Sequence, residues 1–147
     1  MCTFALMKRL CALIVSFMLL FSCSKESKEE NADKFVGTYS ISATEYVTWG
    51  SASGTLSNTG TLYISKKTES SVSTNGFFST NGSITESTIY FEGFNTSDAT
   101  GYITYTFSPA TLNGNVMFFT VYASGRLADN GVSYPYRMTS NVTAIKM

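Results

Sequence analysis

Side chains that could do chemistry are few in this sequence, and they exclude more than they suggest. There is no histidine, and the only cysteines are Cys2, Cys11 and Cys23. Without an imidazole, Ser-His-Asp and Cys-His nucleophilic sites, the common zinc sites and a histidine pH switch are out of reach. With every thiol at or before residue 23, a domain folding after it has no disulfide and no thiolate ligand. Glu86 and Glu92 fall on one side of a predicted strand, but extended chain would hold them roughly 20 Å apart, too far for paired acid and base work. Asp98 and Asp129-Asn130 sit in turn-like stretches. Asx turns account for them better than a calcium site, since no EF-hand spacing is present. No catalytic residue, metal or cofactor is expected, and the chain reads as a non-enzyme.

Aromatic rings are the plentiful resource, with nine Tyr, eleven Phe and a single Trp. Trp49, beside the glycine-bounded stretch 50–54, could stack on a sugar ring. Tyr134-Pro135-Tyr136-Arg137 puts two rings on one strand face and the cation on the other. Trp49, Tyr134 and Tyr136 are therefore the candidate ligand-binding residues, suited to a small hydrophobic molecule or a glycan. The competing reading of each is a half-buried sheet position, which aromatic residues fill readily. The ten basic and ten acidic residues balance. Lys8 and Arg9 lie in the leading segment, and no basic cluster follows, so nucleic acid is not an expected partner.

The leading segment has its own logic. Lys8 and Arg9 precede an almost unbroken apolar run from Leu10 to Phe21, which ends at Ser22-Cys23. A helix needs ~20 residues to cross a ~30 Å hydrocarbon core, so this run is too short to span one. Charge, short apolar run and small residue in that order predict a cleaved export signal over residues 1–22. Leu20-Phe21-Ser22-Cys23 resembles the lipobox of bacterial lipoproteins, although Phe21 stands where a small residue is usual. That resemblance implies a diacylated Cys23 thiol, cleavage before it, and a membrane partner reached through the acyl chains. Each buried CH₂ adds about 0.8 kcal/mol, and more than one chain makes such an anchor durable. Residues 24–34, charged and almost without apolar side chains, form a solvated tether. Acids just after the cysteine resemble the surface-export signal of Bacteroidetes-type lipoproteins. The implied location is the outer membrane, displayed at the surface, with a plain spacer facing the periplasm as the alternative.

Residues 35–147 are enough for one domain with a single core. Apolar residues there alternate with Ser, Thr and charged ones between turn dipeptides, the pattern of antiparallel strands. The first predicted strand, 35–49, carries Tyr39, Ile41, Ala43, Val47 and Trp49 on one side. Glu45 interrupts that side and predicts a bend or bulge. A flexible loop over 50–54 leads to strands over 59–66 and 70–79, then a tight hairpin at Asn81-Gly82. Strand 83–93, a polar loop over 95–100 and strand 101–108 follow, the last ended by Pro109. After a turn at Asn113-Gly114, strand 115–124 is apolar on both faces and predicted to be central. Asp129-Asn130-Gly131 then turns the chain into 132–146, one bent strand or two. The fold class is all-β: an antiparallel up-and-down meander closing into a small barrel of about eight strands. A two-sheet β-sandwich is the alternative.

Phe35-Val36-Gly37-Thr38-Tyr39 resembles the first-strand Gly-x-Trp/Tyr motif of lipocalin-like and streptavidin-like barrels, the calycins. The likeness extends over 35–147 as strand number, spacing and a last strand ending Ala144-Ile145-Lys146. It implies a ligand site in the barrel's open mouth, and Arg137 packed across the closed end. Two functions remain in view. One is a non-catalytic envelope lipoprotein whose barrel binds a small molecule, lipid or glycan. The other is a structural or protein-interaction lipoprotein with a filled barrel. A pocket of several hundred Å³ would separate them.

Overall fold

A computed structural model of the chain describes residues 32–147. The expected signal over 1–22, the expected anchor Cys23 and the tether as far as residue 31 lie outside the described residues. A short 3-10 turn, Ala32–Lys34, leads into ten strands: β1 Gly37–Trp49, β2 Ala52–Thr68, β3 Ser71–Gly76, β4 Asn81–Thr85, β5 Thr88–Phe91, β6 Phe94–Asp98, β7 Gly101–Phe107, β8 Ala110–Asn113, β9 Val116–Asp129 and β10 Val132–Lys146. They form one antiparallel sheet, not a two-sheet sandwich. Its hydrogen bonds run β1-β2-β3-β4-β5-β8-β9-β10 and back to β1, a ring through eight strands.

β6 and β7 do not break the up-and-down order. Ile89 of β5 faces Ala110 of β8, and Phe94 of β6 faces Tyr105 of β7, at the same offset. β5 with β6, and β7 with β8, are thus two long strands, each interrupted once. The second interruption is at Ser108-Pro109. There Phe107 faces Val121 of β9 while Thr111 faces Phe118, so β7–β8 accommodates one extra residue. Pro109 has no N–H to give the ladder. The Thr120 amide donates instead to the Ser108 hydroxyl at 2.8 Å, and the Ser108 amide donates to the Thr120 carbonyl at 2.8 Å.

Several expected details differ. Glu45 causes no bulge, because β1 keeps unbroken register with both neighbours through it. The flexible loop expected over 50–54 is only a tight turn at Gly50-Ser51, with Gly50 at φ +60° and β2 already begun at Ala52. Asn81-Gly82 is not a turn but the start of β4. Gly82 is buried there, and a Cβ on it would lie 2.7 Å from Ile89 Cγ2, so packing, not a positive φ, requires the glycine. The strand expected over 83–93 folds into a hairpin at Glu86-Ser87, with Glu86 itself at φ +54°. The polar loop expected over 95–100 is mostly β6. The central position expected for β9 holds, since it pairs with β10 along one edge and with β7 and β8 along the other.

Alternation buries Tyr39, Ile41, Leu62, Ile64, Val72, Ile84, Ile89, Met117 and Ala144 in one cluster. Complete burial of an aliphatic side chain contributes roughly 1.5–3 kcal/mol, so this half carries most of the hydrophobic stabilisation. The turn before β1 closes the same end. Ala32 and Phe35 are fully buried, and the Tyr39 hydroxyl donates to the Phe35 carbonyl at 2.8 Å. Lys146 crosses this end, its ammonium donating to the Lys34 carbonyl at 3.0 Å. Its stem passes so close to Gly37 that a Cβ there would sit 2.7 Å from Lys146 Cε. The basic residue across the closed end is therefore Lys146. Arg137, exposed on the outward side of β10 opposite Thr48, lies far along the strand from that end.

Burial pushes the Tyr39 phenol from its ordinary 10.0 up to about 12. Above about pH 10 the unfolded chain releases this proton while the folded chain keeps it. The stability involved is complete below about pH 10 and is lost as pH rises through about 12. Tyr39→Phe removes the bond to Phe35 and is expected to cost about 1 kcal/mol near neutrality. It should also flatten the alkaline decline, read by denaturant titration across that window. An unchanged alkaline slope in the variant would refute the assignment.

Candidate functional site

β3 and β4 are short, whereas β2 and the β5–β6 strand continue past them. β3 covers β2 only from Leu62 onward, leaving residues 52–60 of β2 without a partner on that edge. On the other side β6 pairs only with β7. The eight-strand ring therefore closes at one end and splits at the other, between β2 and β6. The β3–β4 connection turns into this split. Gly76, at φ +98°, lets the chain reverse, and the Phe77 amide donates to the Thr61 carbonyl at 2.8 Å. Thr74 and Thr80 close the loop with bonds in both directions, of which the Thr74 amide to the Thr80 carbonyl is 2.8 Å.

Behind the split lies a cavity of about 550 Å³. Its aromatic lining is Phe77 and Phe78 from the connection, Phe94 from β6, and Tyr105 and Phe107 from β7. Phe78 is the hub, with ring centroids 4.9 Å from Phe107, 5.3 Å from Phe91 and 5.8 Å from Phe119. Phe94 stacks on Tyr105 at 4.7 Å. Edge-to-face and offset contacts of this kind hold rings in fixed orientations. The cavity wall is thus set by the chain rather than by a ligand.

Ser79 and Thr96 add polar groups on the aromatic side, and the rest of the polar lining comes from the opposite wall. Glu45 of β1 and Ser140 of β10 are directly opposed in register, and Asn58 of β2 lies beside them. Glu45 is partly buried and, among the described residues, is the only charged one in the lining. Ser140 is 1% exposed, and among the described residues its hydroxyl has no hydrogen-bond partner. None of these three was marked as a site residue by sequence reasoning. The one signal was Glu45 on an otherwise apolar strand side, and it pointed to a bend instead.

The structure brings the candidates Trp49, Tyr134 and Tyr136 together, but nearer the rim than the cavity. Trp49 faces Tyr136 across the β1–β10 ladder, and its ring meets Tyr134 edge-to-face at 6.2 Å. All three share the strand side that carries the core residues further down. Tyr136 links rim to cavity. Burial first, then the neighbouring Tyr105 and the negative charge of Glu45, push its phenol above the usual range. Cys23 lies outside the described residues. Asp98 behaves as an Asx-turn residue, its carboxylate accepting from the Thr100 amide at 2.7 Å and the Thr100 hydroxyl at 2.6 Å.

A buried hydroxyl without a partner costs about 1–3 kcal/mol in lost hydration. Ser140→Ala is therefore expected to leave stability unchanged or to raise it by about 1 kcal/mol, measured by chemical denaturation. A loss of more than about 1 kcal/mol would show that the hydroxyl is bonded in the folded protein. In comparison with known proteins, the chain matches no family model, no curated protein and no solved structure.

Proposed function

We propose that this chain is a non-catalytic, lipid-anchored cell-envelope protein whose barrel holds a small amphipathic molecule in its split end. The observation that carries the reading is the cavity of about 550 Å³ walled by rings, with Glu45, Ser140 and Asn58 converging on one side. Small-molecule sites are typically apolar spaces of about 300–1,000 Å³ with a few placed polar groups. A barrel packed solid would have favoured the structural or interaction role. The single up-and-down ring, the Gly37-Thr38-Tyr39 motif and Lys146 laid over Gly37 support kinship with the calycin barrels at the level of architecture.

The anchor rests on the lipobox-like Leu20-Phe21-Ser22-Cys23. Ala32 enters the fold at the closed end, beside Phe35 and Glu69. A chain held at Cys23 would thus present its split end away from the lipid. Ala32–Lys34 belong to the fold rather than to the tether expected over 24–34, so residues 24–31 are left to span the distance, a reach of at most roughly 30 Å. Outer-membrane attachment with surface display fits that orientation, since the ligand then arrives from the outside.

Two measurements test the proposal. Thermal unfolding of the full chain against lipids, glycans and hydrophobic amines should find a class that binds. Ligand at a hundred times its Kd stabilises by about 2.7 kcal/mol, a rise in Tm of roughly 10 °C, and Thr96→Trp at the cavity's β6 wall should reduce it. Silence across all three classes would sink the ligand site. For the anchor, metabolic acyl labelling should mark the natural protein and disappear in Cys23→Ala; label retained on the variant would dismiss it.

A further inference from the structure

The cavity holds one charge, and no cation of the described chain answers it. Along β1 the inward neighbours of Glu45 are Ala43 and Val47, and across the ladders it faces Ser140 and Leu56. Among the described residues its carboxylate makes no hydrogen bond and no salt bridge. The cations are occupied or point elsewhere. Arg126 bonds Ser133 through its side chain, at 3.0 Å to the hydroxyl and 2.9 Å to the carbonyl. Arg137 stands on the outward side of β10. Lys34 donates to the Glu86 carbonyl and Lys146 to the Lys34 carbonyl, both at the closed end. Lys66 pairs with Asp33 and Glu69, and Lys67 with the Asn81 side chain.

Glu45 is partly withdrawn from water, and the described residues supply no internal partner to offset even that partial loss of hydration. The remaining surroundings are of the kind that favour a cation. Five aromatic rings line the same space, and their faces attract positive charge. The unpartnered Ser140 hydroxyl, directly opposite Glu45, adds an acceptor for an N–H where the cation is a protonated amine; a quaternary ammonium relies on Glu45 and the rings alone. We infer that the ligand of this cavity is an organic cation, an amine or quaternary ammonium on an apolar body, with Glu45 as its counter-ion and the rings as its cage. This rests on the reading of the cavity as a ligand site and adds the charge the ligand must carry.

Calorimetric titration of the full chain with three probes of nearly one shape tests the inference. They are benzyltrimethylammonium, its neutral near-isostere dimethylphenethyl alcohol, and the anion phenylacetate. The cation should bind at least ten times more tightly than the alcohol, and phenylacetate should not bind. Glu45→Gln, which keeps the shape and removes the charge, should erase that preference while leaving the alcohol's affinity within about twofold. Equal binding of cation and alcohol, or an unchanged preference in Glu45→Gln, would overturn the inference and leave the ligand site standing. Failure of benzyltrimethylammonium to bind the natural protein would likewise overturn the inference, while the ligand site itself falls only with silence across lipids, glycans and amines.

Discussion

Two strands too short for their neighbours govern the architecture. β3 has 6 residues and β4 has 5, whereas β2 has 17. A sheet can close on itself only where every strand finds a partner at the same height. At the level of Leu62 and Ile64 that condition is met all the way round, and the interior is packed. Above it the ladder has no material between β2 and β6. The long strands still satisfy one edge there, through β1 for β2 and through β7 for β6. The split is thus compatible with intact backbone pairing everywhere except along its own two lips.

That mismatch divides the molecule into a half that stabilises and a half that is free to be polar inside. At the closed end every inward position is apolar or, like Tyr39, carries a polar atom with a partner. Towards the split, inward positions on β1 and β10 are Glu45 and Ser140, neither of which a filled core would tolerate unpaired. The aromatic set around Phe78 stands between the two regimes. It seals the packed half from above and forms the floor of the cavity. Its ring contacts place a rigid apolar surface under the polar wall, and that arrangement gives one small space both a shape and a preferred chemistry.

How much of this was legible in the sequence follows from what each pattern depends on. Alternation alone sufficed for β1 and β7, through Tyr39-Ile41-Ala43 and Ile103-Tyr105-Phe107, and β9 was legible as a run apolar on both faces, all of them local signals. The number of long strands and their meander were recoverable for the same reason. Turn chemistry misled where the backbone used a residue against its type. Glu86 takes a positive φ at the β4–β5 hairpin, while Gly82, next to Asn81, serves packing instead. The upper part of β2 was invisible because its Ser, Thr, Asn and Gly faces no packed core on either side. The cavity depends on which strands stop short, a property of pairing across the ring that no local window contains. Glu45 is the instructive case. An acid on an inward strand side reads as a fault to be bulged away when the interior is assumed full, and as a cavity-lining group once the short strands are seen to leave a space there.

The lips of the split bear on the proposed choice between a small ligand and an added strand. Unpaired strand edges invite another strand, and a peptide or a second copy could in principle complete the sheet. The composition of the edges opposes that. β2 from residue 52 to 60 is almost wholly small or polar and exposed, with little side-chain surface for a paired strand to bury against. β6 is only 5 residues long and ends at Asp98. Hydrogen bonds from the Thr100 hydroxyl and amide hold that carboxyl below its usual range, so the edge carries a fixed negative charge. Short, charged and polar edges discourage strand addition while leaving their amides and carbonyls to water. The apolar surface is withdrawn behind them, on Phe77, Phe78, Phe94 and Phe107. A molecule small enough to pass the lips gains that surface without needing the edges at all. The composition of the edges thus supports the proposed reading of a small ligand over strand addition.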